Sequence, residues 1–299
     1  MSSSHPNLIE VLDDRVQALF AAGQIEDAVR ITQTALDSAR RAASHDAENA
    51  PSLATALEVM ADLRRAQGDF EQSQGLYAEA LDFFDPETMP PEQYARLKSG
   101  LAALYDGAQL QEDAVTHYEE AIKLFENLEG DYNTQVAKLC NNVAMLYKEM
   151  GRHEDAEGRY IAAVQMFETA HGKNSTEAAT VYNNLGGLYS LSGYPEQARG
   201  MHKIAFEIRS AAFEGNNPEI AQSLCNLATV SHELQEFKDA MVNYEKALKI
   251  FERNLPQETE NYTITASNLA ALLREQGLDR KASSLERQAN KILKKALKK

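Results

Sequence analysis

The feature that most constrains this chain is a register of small residues that returns about every 42 positions. Glycine stands at 23, 68, 151, 193 and 277, and glutamine takes the same place at Gln109 and Gln235, giving spacings of 45, 41, 42, 42, 42 and 42 residues. Five residues beyond each lies a second column, Ala28, Ser73, Ala114, Ala156, Ala198, Ala240 and Ala282. Seven further on the residue is always alanine: Ala35, Ala80, Ala121, Ala163, Ala205, Ala247 and Ala289. Ahead of the turn a third column holds Ala61, Ala102, Ala144, Gly186, Ala228 and Ala270. One such unit cannot bury its apolar face alone, so successive units must stack.

Each unit reads as two helices around a turn. The first carries Leu-Ala-x-Leu-Tyr, as in Leu101 to Tyr105, and the second Ala-x-x-x-Tyr-x-x-Ala, as in Ala114 to Ala121. Alanine is required where two helices cross closely, while tyrosine and leucine fill the wider gaps. Asn133, Ser175, Asn217 and Thr259 share one column and are expected to N-cap first helices, with Pro218 at a first helical position. The predicted fold is all-α: a right-handed superhelical solenoid of about seven helix-turn-helix units over residues 8–290. A flexible N-terminus, 1–7, is expected before it, and a basic amphipathic helix end, 291–299, after it.

Composition narrows the function. A net charge of −15 argues against nucleic acid as the main partner. Two cysteines, Cys140 and Cys225, cannot build a disulfide framework and sit in helix patterns as small packing residues. The N-terminus has no basic region followed by an apolar run, and no apolar stretch approaches the roughly 20 residues needed to span a bilayer, so a cytoplasmic protein is expected. The histidines, at 5, 45, 117, 153, 171, 202 and 232, lack metal-ligand spacing. Gly172-Lys-Asn-Ser175 has the look of the end of a phosphate loop, but Phe167 occupies the place of its first glycine and no strand precedes it. No catalytic residue, metal or cofactor is therefore expected.

The columns resemble the tetratricopeptide repeat, normally about 34 residues long. The longer unit, with Asn142 to Tyr147, Asn184 to Tyr189 and the run Tyr244 to Glu252, resembles the kinesin light chain repeat. Within that family the chain is most similar to the stand-alone bacterial members associated with bacterial tubulins. The resemblance is good from about residue 95 onward and looser in the first two units, where Asp14 and Val16 replace asparagine and alanine. Kinesin light chains carry a long coiled coil before the repeats, and only a few residues precede the first unit here, so a motor-subunit role is not implied. What the resemblance implies is a non-catalytic scaffold that binds a tubulin-like filament and tethers it to membrane or cargo. Two other readings stand beside it: a general peptide-binding adaptor with no filament partner, such as a co-chaperone or signalling module, and a membrane-peripheral protein driven by its tail. The oligomeric state is open.

First helices of stacked pairs line the inner surface of such an array. They carry a column of asparagines, Asn142, Asn184, Asn226 and Asn268, with Asn141 and Asn183 beside the first two. Arg96 and Lys138 precede the column by a turn, and Lys148 and Arg274 follow it. An amide both donates and accepts. By family resemblance this groove receives cargo peptides; the competing reading is a ladder in which each asparagine bonds to the next helix and pins the stack. The tail poses a similar choice. Residues 280–299 hold eight Lys or Arg against Glu286 alone. On a helix, Leu285, Ala289, Ile292, Leu293, Ala296 and Leu297 share one arc, and Lys291, Lys294, Lys295, Lys298 and Lys299 the opposite one. The lysines either keep the end of the array solvated and complement the helix dipole, or bind an anionic membrane or an acidic filament surface.

Overall fold

The structure is a computed structural model that describes residues 8–46, 49–83 and 90–297. The expected flexible segment 1–7 lies outside the described residues. Among them are fourteen α-helices and no strand. The chain divides into two compact halves, Met1–Met150 and Gly151–Lys299.

The first half contains α1 (Leu8–Ala21), α2 (Ile25–His45), α3 (Ala50–Ala66), α4 (Phe70–Asp82), α5 (Pro91–Gly107), α6 (Gln111–Glu126) and α7 (Asn133–Glu149). The second contains α8 (His153–His171), α9 (Thr176–Leu191), α10 (Pro195–Ala212), α11 (Pro218–Glu233), α12 (Phe237–Arg253), α13 (Thr259–Glu275) and α14 (Asp279–Ala296). Odd-numbered helices are the first of each pair and even-numbered ones the second. Each packs on its sequence neighbours within its half, and first helices also touch one another, α1–α3–α5 in one half and α9–α11–α13 in the other. The fold is the all-helical repeat solenoid that the columns predict.

The turn column explains how each pair reverses. All five glycines have φ between 71° and 80°, and Gln109 and Gln235 adopt the same left-handed conformation at 62°. At the turns around 23, 68, 109, 193, 235 and 277 the next N–H donates five residues back, as from Leu110 to Tyr105 O at 2.8 Å and from Glu236 to Ser231 O at 2.7 Å. This closes the preceding helix with the bond of a Schellman motif. Beyond the turn, the alanine columns are fully buried at 114, 121, 156, 163, 198, 205, 240 and 247. Ser73 fits the same buried place because its Oγ donates to Ala61 O at 2.8 Å, which satisfies the hydroxyl.

Around the alanines, tyrosines fill the gaps, with Tyr77 and Tyr118 buried in the first half and Tyr160, Tyr244 and Tyr262 in the second. The apolar clusters of the first half include one around Val16, Ala28 and Leu63 and another around Leu57, Tyr77 and Leu97. In the second half one large cluster runs from Ile220 to Ala289. Both cysteines are buried.

Two expected caps need correction. Ser175 and Asn217 do cap α9 and α11, accepting from Ala178 N and Glu219 N. Asn133 instead lies inside α7, and Asp131 Oδ1 accepts its N–H at 3.1 Å. Thr259 lies inside α13 because its hydroxyl donates back to Pro256 O at 2.7 Å rather than accepting from the helix.

Candidate functional site

In each half the neighbouring first helices make a candidate surface, and the expected site residues divide between the two halves. In the first half, Arg96 on α5 reaches back to Glu58 on α3, with Nε 3.3 Å from Oε1, and also pairs with Glu92. Lys138 on α7 is exposed and Lys148, near the end of the same helix, is half-buried. Asn141 points its amide toward Met145 Sδ at 3.8 Å and Asn142 Oδ1 at 3.4 Å. Asn142 lies close to the hydroxyl of Tyr118 on α6, where one repeat meets the next.

In the second half, Asn226 on α11 donates from Nδ2 to Asn183 Oδ1 on α9 at 2.6 Å. Asn184 and Asn268 are half-buried on the same helix faces. Arg274 donates to Glu286 on α14 at 2.6 Å. The structure thus brings Asn183 and Asn226 together and gives Arg96 and Arg274 carboxylate partners.

Four features of this surface escaped the sequence reading. Gln93, 4 % exposed, bridges α5 to α3 by donating to Pro51 O at 3.0 Å and Thr55 Oγ1 at 2.8 Å. Arg209 comes up from α10 almost fully buried; it donates to Ser223 Oγ at 3.0 Å, lies 3.2 Å from Glu219 Oε2 and approaches Thr180 Oγ1. Thr180 occupies the register place that Arg96 and Lys138 hold in earlier repeats, so a basic group returns near that place from a different helix. Ile264, in the same column, is 51 % exposed. Tyrosines of first helices also bond to carboxylates of the preceding helices, Tyr147 to Glu119 and Tyr189 to Glu157. Burial and the Glu157 charge push the Tyr189 phenol up to about 12.

A second concavity lies on the other side of the second half. An open groove of about 720 Å³ runs between α12 and α14, floored by Tyr262, Leu269 and Leu273 of α13. Ser283 and Ser284 stand on α14 where α12 carries Met241 and Val242, a size difference that was legible.

The basic stretch continues the last repeat helix without a break, since α14 runs to Ala296. Ala282 and Ala289 are buried, Leu285 and Ile292 pack on the core, and Leu293 and Ala296 are half-buried. Leu297 is 78 % exposed, and Lys291, Lys294 and Lys295 are exposed. Lys298 and Lys299 lie outside the described residues. No helix among the described residues is long and apolar enough to cross a membrane, and no three of their His, Cys, Asp and Glu side chains converge as metal ligands would.

The geometry can be set beside known proteins. The chain is similar to the crystal structure of BtubC (BKLC) from P. vanneervenii, with 33 % identity and a TM-score of 0.68, over 76 % of this chain and 90 % of that one. It is similar in fold to the apo form of RapI, at 16 % identity and a TM-score of 0.78, over 97 % of this chain and 77 % of that one. Kinesin-light-chain TPR-like repeats from Podosopora anserina match at 17 % identity and a TM-score of 0.59, over 70 % of this chain and 98 % of theirs. No curated protein matches. The tetratricopeptide repeat family model matches residues 52–127, 134–203 and 195–253, and the chain belongs to the tetratricopeptide repeat family.

Proposed function

We propose that this repeat protein is a non-catalytic scaffold for a tubulin-like filament, which it tethers to cargo or to an anionic membrane. The observation that carries the reading is the 33 % identity to BtubC across 90 % of that chain. The asparagine-bearing columns that resemble the repeat of stand-alone bacterial kinesin light chains support it too. In the first half the first-helix surface offers exposed Lys138 and Met145 beside the half-buried amides of Asn141 and Asn142, and in the second half exposed Ile264 beside those of Asn183, Asn184, Asn226 and Asn268, each a mixture suited to an extended protein segment. The lysines of α14 suit an acidic surface, whether on the filament or on a membrane. Co-sedimentation of the purified chain with polymerised tubulin-like filaments tests this. Pelleting that saturates and weakens in a Lys138→Ala, Met145→Ala, Lys148→Ala variant supports it. A chain that stays in the supernatant at every filament concentration overturns it in favour of an adaptor with no filament partner.

A further inference from the structure

Charge is divided unevenly along this chain. Residues 1–150 carry the whole net charge of −15, and residues 151–299 are balanced. The balance inside the second half is itself uneven, because eight Lys or Arg stand against Glu286 in residues 280–299.

That basic end is α14, which differs from α12 at three register places. In α12 the register places 244, 248 and 251 hold Tyr244, Leu248 and Phe251, all buried. In α14 the same places hold Glu286, Asn290 and Leu293. Glu286 is turned back to Arg274, and Asn290 is exposed. Two polar residues thus stand where α12 carries buried Tyr244 and Leu248. What remains is a short apolar tip, Leu293, Ala296 and Leu297, flanked by exposed Lys291, Lys294 and Lys295.

The first half offers its complement at the α5–α6 turn. Leu110 stands there 49 % exposed. Asp106, Glu112 and Asp113 lie on the same turn, all exposed, and Glu149 from the end of α7 accepts from Gln111 at 3.2 Å. Loss of hydration beside its neighbours and then the charge of Glu149 hold the Asp106 carboxyl above its ordinary range, with Arg65 offsetting part of the effect.

We propose that the lysine-flanked tip of α14 docks on the acidic turn around Leu110 of a second copy, so that copies associate head to tail. The two surfaces are different, so every contact leaves one free surface of each kind, and copies add in series unless a ring closes. Repulsion between two chains that each carry −15 is screened beyond about 8–10 Å at physiological ionic strength, whereas charges in contact still attract. Exposed ion pairs are individually weak, so the association is weak and loosens as salt rises.

The test is sedimentation velocity on the full chain over a wide concentration range, at about 0.15 M and several-fold higher salt. No filament enters the measurement, so its outcome is separate from that of co-sedimentation. At the lower salt the mean sedimentation coefficient should rise past the dimer value with concentration and fall back as salt increases. Lys291→Glu, Lys294→Glu, Lys295→Glu together, or Glu112→Lys with Asp113→Lys, should each weaken association about tenfold or more. Mixing the two variants should restore both cross contacts, the native one and its charge-swapped counterpart, and give series in which the variants alternate. Circular dichroism checks that each variant stays helical, and Lys→Gln and Glu→Gln versions carry the same comparison if a reversal disturbs folding. A monomer at every concentration, a dimer that never grows, or association indifferent to these substitutions would overturn the proposal.

Discussion

The ring of His202 fills the space against Gly186: a β-carbon built on that glycine would lie 2.6 Å from Cε1 and 2.7 Å from Nδ1 of the histidine. Five other repeats put Ala61, Ala102, Ala144, Ala228 or Ala270 in the glycine's place, and the first puts Val16 there. Tyr77, Tyr118, Tyr160 and Tyr244 stand where His202 does. At Gly186 the ring takes the space that those alanine methyls fill, so a methyl group does not fit without a shift. Gly186→Ala should therefore destabilise the chain by about 1–3 kcal/mol through overpacking, although alanine is the commoner residue in the column and the better helix former. Urea unfolding of the variant checks this, and an unchanged or higher midpoint would mean that the histidine ring can move aside.

The same histidine should make stability depend on pH. His202 is 3 % exposed, and burial, aided by the Arg209 charge, lowers its pKa from 6.5 to about 4. Above pH 6.5 both folded and unfolded chains leave it neutral, and its contribution is fully present. Between pH 6.5 and about 4 the unfolded chain takes up a proton that the folded chain refuses, so stability falls as pH falls. At about 1.4 kcal/mol per unit the loss approaches about 3 kcal/mol at the lower end. Carboxylates titrate in part of this window too, so the informative quantity is the difference between the native chain and His202→Gln. Between pH 7 and about 5, where carboxylates contribute least, the variant should show the flatter dependence.

The two glutamines in the turn column should be improvable. Gln109 and Gln235 hold φ at 62°, a conformation that costs a residue with a β-carbon about 1–2 kcal/mol. Glycine removes that cost and loses part of the gain, about 0.5–1 kcal/mol, to its freer unfolded state. Gln109→Gly and Gln235→Gly should thus each stabilise by about 0.5–1 kcal/mol. Thermal melts should show both midpoints rising; a fall would mean that the glutamine side chains hold the turn in some other way.

Those glutamines also show how far the fold was legible. Their alignment with five glycines was enough to predict turns at 109 and 235, because a register that repeats seven times fixes each position from the others. The alanine columns marked the close crossings for the same reason. Local hydrogen bonding was less legible. Asn133 and Thr259 suit an N-cap by residue type, but Asp131 serves the Asn133 N–H and the Thr259 hydroxyl turns to Pro256 O, choices set by loops of differing sequence. The candidate surface was legible only as a set of helix faces. The partners of Arg96, Arg274 and Asn226 depend on rotamers across repeats, and the arrival of Arg209 from a second helix beside Thr180 breaks the columnar rule that made the rest readable.

The asparagine pair carries the sharpest test of what the first-helix surface does. Asn226 and Asn183 share one hydrogen bond between α11 and α9, and each is half-buried. Asn226→Ala leaves an acceptor without its donor, and Asn183→Ala the reverse, so each should cost about 1 kcal/mol. The double variant should cost little more than either single one, since both remove the same bond, and that coupling is read from a double-mutant cycle. Exposed Lys138→Ala should stay within about 0.5 kcal/mol of the native chain. Binding then separates bracing from recognition. If the pair only braces the stack, the folded fraction of Asn226→Ala should bind a filament or peptide as tightly as the native chain, while Lys138→Ala binds more weakly. If a bound backbone competes for these amides, Asn226→Ala should lose affinity out of proportion to its loss of stability. Unchanged stability in all three asparagine variants would remove the bracing role and leave the amides to the partner.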